Sequence, residues 1–209
     1  MRIAIVGAGN VGRALAGRFV QAGHEVSFGV RNPDDPKHAS LAGARMTPRD
    51  AAAAADAIVL STPWPATEAV CKGMAPLAGK IVLDCTNPLA MGPAGLGLAV
   101  GFTTSGGEMV AGWCPGAAVF KVFNTTGFGI MADPGRLEHR PVMFVAGDDA
   151  DRKPAVLKLV DDTGFEAVDA GPLRNARLLE PFAMLWIDQA MIRGRGRDFA
   201  FALARPSED

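Results

Sequence analysis

Near the start of the chain an apolar run, Ile3 to Val6, breaks into Gly7-Ala8-Gly9-Asn10-Val11-Gly12 and then into a helical pattern. With 25 glycines in 209 residues, a G-x-G-x-x-G hexamer carries little weight alone. Its setting gives it weight, because it follows a strand and opens a helix at the head of a βαβ unit. Leu15, Phe19 and Ala22 recur at helical spacing through Val11–Ala22, Gly23 stops the helix, and Glu25 to Gly29 reads as a second strand. In such a turn Gly7 permits the bend, Gly9 lets the backbone approach a pyrophosphate, and Gly12 lets helix lie close on strand. The free N–H groups of the helix start then face an anion. Residues 7–12 are therefore the expected phosphate-binding turn of a dinucleotide site.

The same beat repeats downstream. A short helix at Asp50–Ala55 precedes strand Ala57–Leu60, a helix at Ala66–Ala75 precedes strand Ile81–Asp84, and a helix at Gly107–Trp113 precedes strand Ala118–Phe123. Val142–Ala146 and Ala167–Asp169 read as strands flanking a helix from Asp149 to Thr163. Alternating β and α segments with wholly apolar strands imply a Rossmann-type α/β fold: a doubly wound, mainly parallel sheet with helices on both faces. The last long element, Leu173 to Arg193, carries Phe182-Ala183-Met184-Leu185-Trp186-Ile187, apolar on almost every face. Such a helix either fills a cleft of its own chain or is covered by a second subunit. Pro181 inside it is expected to kink or divide it. Without a disordered linker or a repeat, residues 1–209 read as one unit: a dinucleotide-binding core at 1–130 and a helical extension at 131–209 that completes the acceptor cleft.

The tip of the second strand tests which dinucleotide is held. Preference for NAD normally needs an acid there to accept from the ribose hydroxyls, and this chain has Phe28-Gly29-Val30-Arg31-Asn32 instead. Arg31 can pair with a 2′-phosphate and stack on adenine, and Lys37 adds a second charge opposed by Asp34 and Asp35. NADP(H) is the expected cofactor, with Val30, Arg31, Asn32 and Lys37 beside its adenosine end. Ligands of open α/β sheets lie outside the carboxyl ends of the strands. The next three tips carry Thr62-Pro63-Trp64, Asn87-Pro88 and Asn124-Thr125-Thr126-Gly127. Of these, Thr62, Pro63, Trp64, Asn87, Pro88, Asn124, Thr125 and Gly127 are expected around the nicotinamide ribose and amide.

Acid–base machinery is not evident. His24, His38 and His139 have no obvious nucleophile or acid partner, and His24 reads as structural. The chain contains no tyrosine, so no lysine–tyrosine dyad can form. Hydride passing between two stacked rings needs no such set, since positioning supplies most of the catalysis. The balance of 21 basic and 22 acidic residues gives no reason to expect nucleic acid or anionic membrane as a partner. Cys71, Cys85 and Cys114 are too few and too scattered for a metal site or a disulfide framework. With no secretory pattern at Met1–Gly7, a cytoplasmic location is expected.

These residues resemble a known family. The opening Met1–Gly12, Gly23-His24-Glu25-Val26, Gly29-Val30-Arg31, Thr62-Pro63-Trp64 and Lys121-Val122-Phe123-Asn124-Thr125 are similar to NADP oxidoreductases dependent on the deazaflavin coenzyme F420. The resemblance extends to their bacterial relatives and to the cytosolic domain of the STEAP metalloreductases. Its most specific block is Asp169-Ala170-Gly171-Pro172-Leu173 with Asn175-Ala176-Arg177-Leu178-Leu179-Glu180. The resemblance implies NADP across the strand ends, its 2′-phosphate held by a Ser-Arg pair of which this chain keeps Arg31 and has Val30 for the serine. It also implies a deazaflavin such as F420, or a flavin, stacked on the nicotinamide beneath the carboxy-terminal segment, and a homodimer. The tip at 124–128 looks more like the bacterial and metalloreductase branch. The competing readings are a small imine or carbonyl reductase, with Thr62, Asn124 or Thr125 as proton donor, and a non-catalytic NADPH sensor.

Overall fold

The computed structural model describes residues 1–93 and 95–206. β1 (Arg2–Val6), α1 (Asn10–Gln21), β2 (Glu25–Gly29) and a short β3 (Ala44–Met46) form the first unit. α2 (Pro48–Ala54), β4 (Ala57–Leu60), α3 (Trp64–Met74) and β5 (Ile81–Asp84) follow. A hairpin, β6 (Leu89–Gly92) and β7 (Gly95–Leu98), leads to α4 (Gly106–Trp113), β8 (Ala118–Lys121) and α5 (Phe128–Ala132). β9 (Val142–Gly147), α6 (Lys153–Asp162), β10 (Glu166–Asp169) and α7 (Ala176–Ile187) come last, with a π turn at Asp188–Ile192.

Eight strands make one sheet in the order β10-β9-β8-β5-β4-β1-β2-β3. All neighbours run parallel except β8 and β9. The sheet is thus the expected doubly wound, mainly parallel α/β fold. Its central strands are buried on both faces, successive side chains pointing to opposite sides, while the edge strands β3 and β10 are more exposed. Ile3 and Ile5 join Leu15, Phe19, Leu83 and Phe120 on one side. Ala4 and Val6 join Ile58, Leu60, Val82 and Met74 on the other. Local signals set the helix ends: Gly23 closes the turn after α1 at φ +83°, and the Thr47 and Ser105 hydroxyls accept the Asp50 and Glu108 N–H groups at the starts of α2 and α4.

Several elements differ from expectation, each for a local reason. β8 ends at Lys121 rather than Phe123, because Phe123 sits at φ +57° and cannot continue a strand. β9 runs antiparallel to β8, and Gly147 permits it: a Cβ there would stand 2.1 Å from Phe120 Cδ1. The helix expected from Asp149 begins at Lys153, with Asp149 Oδ1 accepting the Arg152 N–H at 2.9 Å. The expected single element from Leu173 to Arg193 is a 3₁₀ turn, α7 and a π turn, and α7 continues through Pro181.

The strand order reverses at β1, with β2 and β3 on one side and β4, β5 and β8 on the other. A crevice for a dinucleotide lies at that switch point.

Candidate functional site

The phosphate turn is built by close approach. Gly7 lies at φ +111°, and a Cβ on it would be 2.6 Å from the Ser61 carbonyl oxygen; one on Gly12 would be 2.0 Å from the Gly7 oxygen. Both positions therefore demand glycine, and Ser61 Oγ ties them to β4 by donating to Gly7 O at 2.9 Å. Gly9 is different: a Cβ there would meet nothing within 4 Å. No side chain caps α1 and no acid stands in its first turn, so the N–H groups around Asn10 and Val11 face open space. That is the geometry of an anion site at a helix start. Sequence reasoning missed Arg13, whose Nε donates to Ala8 O at 3.0 Å and brings a cation to the same turn.

A cleft of about 540 Å³ opens beside this turn, lined by Gly7, Ala8, Arg31, Asn32 and Thr62 among others. Val30, Lys37 and Pro63 also line it. The Val30 side chain is buried, and its N–H donates to Met46 O, so it shapes the wall. Lys37 Nζ lies 2.7 Å from Asp35 Oδ2, and the hydrogen bond to Lys37 holds Asp35 below its usual pKa. Among the described residues the exposed Arg31 guanidinium has no hydrogen-bond or ion-pair partner. Lys37 is thus neutralised in place, and Arg31 is the cleft's uncommitted cation.

The other tips form a second group, at the ends of β4, β5 and β8. Thr62 Oγ1 is 3.0 Å from Thr67 Oγ1, which donates to Pro63 O. Asn87 and Asn124 bond reciprocally: Asn87 Nδ2 donates to Asn124 O at 3.0 Å, and Asn124 Nδ2 donates to Asn87 Oδ1 at 3.1 Å and to Leu179 O at 3.2 Å. Thr125 Oγ1 points to Met143 Sδ at 3.8 Å. Buried Asn124 Oδ1 and Thr126 Oγ1 have no partner among the described residues. Trp64 opens α3 and packs on Trp113, with centroids 5.4 Å apart. Pro88 lies against Gly106, while Gly127 is overlain by Trp186, where a Cβ would be 2.7 Å from Cη2. Gly127 thus serves the packing of α7 on the β8 tip.

Behind these tips lies a charge cluster that sequence reasoning missed. Lys121, at the end of β8, is fully buried, with Nζ 2.7 Å from Asp84 Oδ2, 2.9 Å from Glu180 Oε1 and 2.8 Å from Thr86 O. Burial opposes its charge, but Asp84 and Glu180 outweigh burial and hold its pKa above the ordinary lysine value. Asp84 Oδ1 accepts from the Thr86 N–H at 2.9 Å and hydroxyl at 2.7 Å. Glu180, from α7, accepts the Gly106 and Gly107 N–H groups of α4, both at 2.9 Å. Cys85 is buried beside this cluster, and burial together with Asp84 pushes its thiol well above the usual range.

A further cleft of about 750 Å³ lies between the end of β7 and α7, with Leu98, Phe102, Leu178 and Pro181 as apolar walls and Arg174 at its edge. His24 is structural: Nδ1 is 3.2 Å from the chain's amino group and Nε2 3.5 Å from Asp162. Among the described residues no helix is long and apolar enough to cross a membrane, and no group of three His, Cys, Asp or Glu is placed to hold a metal.

A switch-point crevice, an uncapped helix start behind Gly7 and Gly9 and an arginine at the β2 tip with no partner among the described residues define a dinucleotide-binding α/β domain. Residues 2–88 match the family described as NADP oxidoreductase, coenzyme F420-dependent. A solved structure from Arthrobacter sp. FB24, a candidate F420-dependent NADP reductase, is 32% identical, with a TM-score of 0.87 over 97% of this chain and 99% of that one. The F420-dependent NADP reductase of Methanothermobacter thermautotrophicus is 29% identical, over 95% of this chain and 92% of its own length. Metalloreductase STEAP3 of Rattus norvegicus is 29% identical over 86% of this chain, and the match spans 36% of that longer protein. The chain belongs to the coenzyme F420-dependent NADP oxidoreductase family and is an NADP-dependent oxidoreductase.

Proposed function

We propose that this chain passes hydride between NADP(H) and a deazaflavin or flavin ring, with coenzyme F420 the foremost acceptor. One observation carries the choice: the three candidate proton donors at the β4 and β8 tips, the Thr62 and Thr125 hydroxyls and the Asn124 Nδ2 group, are already engaged with neighbours. Thr62 is engaged by Thr67, Asn124 by Asn87 and Leu179, and Thr125 by Met143. A floor of this kind holds a flat ring in place, whereas an imine or carbonyl reductase would need one of these groups to deliver a proton. The full-length likeness to an F420-dependent NADP reductase supports the same choice.

The residues present fit the cofactor. The open N–H groups of α1, reached past Gly9, hold the pyrophosphate, and Arg31 holds the 2′-phosphate from the β2 tip. Val30, Asn32 and Lys37 wall the adenosine side, and Thr62, Pro63, Trp64, Asn87, Pro88, Asn124 and Thr125 surround the nicotinamide end. Asn124 Oδ1 and Thr126 Oγ1 are the buried acceptors left for its ribose and amide. When bound, NADPH supplies a hydride from its nicotinamide ring. Residues 131–209 complete the acceptor side, where the apolar cleft against α7, with Arg174 at its edge, suits a planar ring bearing an anionic tail. The working state in this reading is a cytoplasmic homodimer, in keeping with three buried free thiols and exposed apolar residues on α7.

The test is to mix the protein with NADPH and, in turn, F420, FMN, FAD and a panel of carbonyls and imines while following nicotinamide absorbance. Oxidation by F420 or a flavin, with the carbonyl and imine panel inert, is the expected result. Turnover of a carbonyl or imine alone would make it a substrate reductase, and tight NADPH binding with every acceptor silent would make it a sensor.

A further inference from the structure

The Asp84–Lys121–Glu180 cluster holds two carboxylates and one ammonium, each at most 1% exposed. The carboxylate oxygens accept from the Thr86 N–H and hydroxyl and from the Gly106 and Gly107 N–H groups, and each carboxylate forms an ion pair with the Lys121 ammonium. Two carboxylates thus pair with a single ammonium, Lys121. The cluster then carries one surplus negative charge. The start of α4 offsets part of it, as a helix N-terminus carries roughly half a positive charge. The nearest basic side chain on α7, Arg177, is already paired with Glu108.

The position of this charge gives it a function. Asp84 and Lys121 are register partners at the carboxyl ends of adjacent strands β5 and β8. The turn they brace, through Thr86, leads directly into Asn87 and Pro88. We propose that the Asp84–Lys121–Glu180 cluster is an electrostatic positioning device that stabilises the oxidised, cationic nicotinamide over the reduced, neutral one and so makes bound NADPH a stronger hydride donor. This inference rests on the reading that the nicotinamide lies over the β4, β5 and β8 tips. Hydride transfer removes two electrons and one hydrogen from the ring, which gains a positive charge while the acceptor takes the hydride. The cluster exchanges no proton in that step. Its field acts across a low-dielectric interior, where one charge still matters at several ångströms. Lys121 fixes the distance by holding both carboxylates and the Thr86 carbonyl at once.

The test compares affinities for the two redox forms. Dissociation constants of NADP⁺ and NADPH are measured by titration calorimetry for the unmodified protein, Glu180→Gln and Asp84→Asn, with adenosine 2′,5′-bisphosphate as a probe of the adenosine end. Each variant removes one negative charge and nearly preserves shape. The ratio of the NADP⁺ to the NADPH constant should rise by about three- to thirtyfold, with the adenosine probe unmoved. A purely structural role would weaken both forms alike. An unchanged ratio in either variant that still unfolds cooperatively overturns the proposal, and one folded variant suffices to decide. If the unmodified protein binds neither redox form, the cofactor reading itself fails, which is distinguishable from an unmoved ratio on intact binding.

Discussion

At the residue scale, the choice of cofactor turns on which cations of the cleft are free. Lys37 is bound to Asp35, Arg13 serves the turn carbonyl of Ala8, and the exposed Arg31 alone has no partner among the described residues. Arg31→Ala should therefore weaken NADP binding by about ten- to hundredfold, the worth of a charge-assisted phosphate contact, and leave NAD binding within about twofold. Equal losses for both would remove Arg31 from the 2′-phosphate. Arg31 was readable in the sequence because an absent acid and a present arginine at one strand tip is a local signal. Gly7 and Gly12 were readable for the same reason, and the close approaches at both demand glycine. The buried cluster was not. Asp84, Lys121 and Glu180 lie far apart along the chain, and a lysine closing Ala118-Val119-Phe120-Lys121 looks like an ordinary strand-end charge until the fold seals it. Ser61 and Arg13 were missed likewise, since each holds the turn through a backbone carbonyl that no side-chain pattern announces.

At the scale of elements, apolar strands flanked by turn residues were the legible part. β2, β4 and β5 have the bounds their sequences imply. The hairpin β6–β7 escaped because Leu89–Gly92 and Gly95–Leu98 contain no polar residue to mark an exposed face, and β3 because three residues are too few to show a period. α7 was legible as an element, and its uniform apolarity has a double explanation. Trp186 is buried and stacks on Phe199 at 5.3 Å, while Phe182 packs on Phe201 at 4.4 Å. Leu178, Leu185, Met191 and Ile192 stay half or more exposed. We propose that a second copy covers these four. Sedimentation equilibrium should give a dimer at micromolar concentration, and Leu185→Glu with Met191→Glu should shift it towards monomer at least tenfold without weakening NADP binding. A monomer in the unmodified protein would contradict this.

For the whole molecule, the sheet order sets the division of labour. With β2 and β3 on one side of the switch point and β4, β5 and β8 on the other, one edge carries the phosphate turn and Arg31 while the other carries the engaged amides and the buried cluster. α7 then closes on both α4 and the β8 tip through Glu180, Leu179 and Trp186, and in the proposed reading this ties the acceptor side to the nicotinamide floor. In the proposed reading this architecture serves one event, the direct passage of hydride between two rings held face to face. The decisive measurement uses NADPH carrying deuterium at the transferred C4 position, mixed with the protein and oxidised F420. The account predicts deuterium retained on the reduced deazaflavin, whose accepting atom is a carbon that does not exchange with water. Reduced F420 without the label, or no reduction under conditions where NADPH is bound, would contradict it.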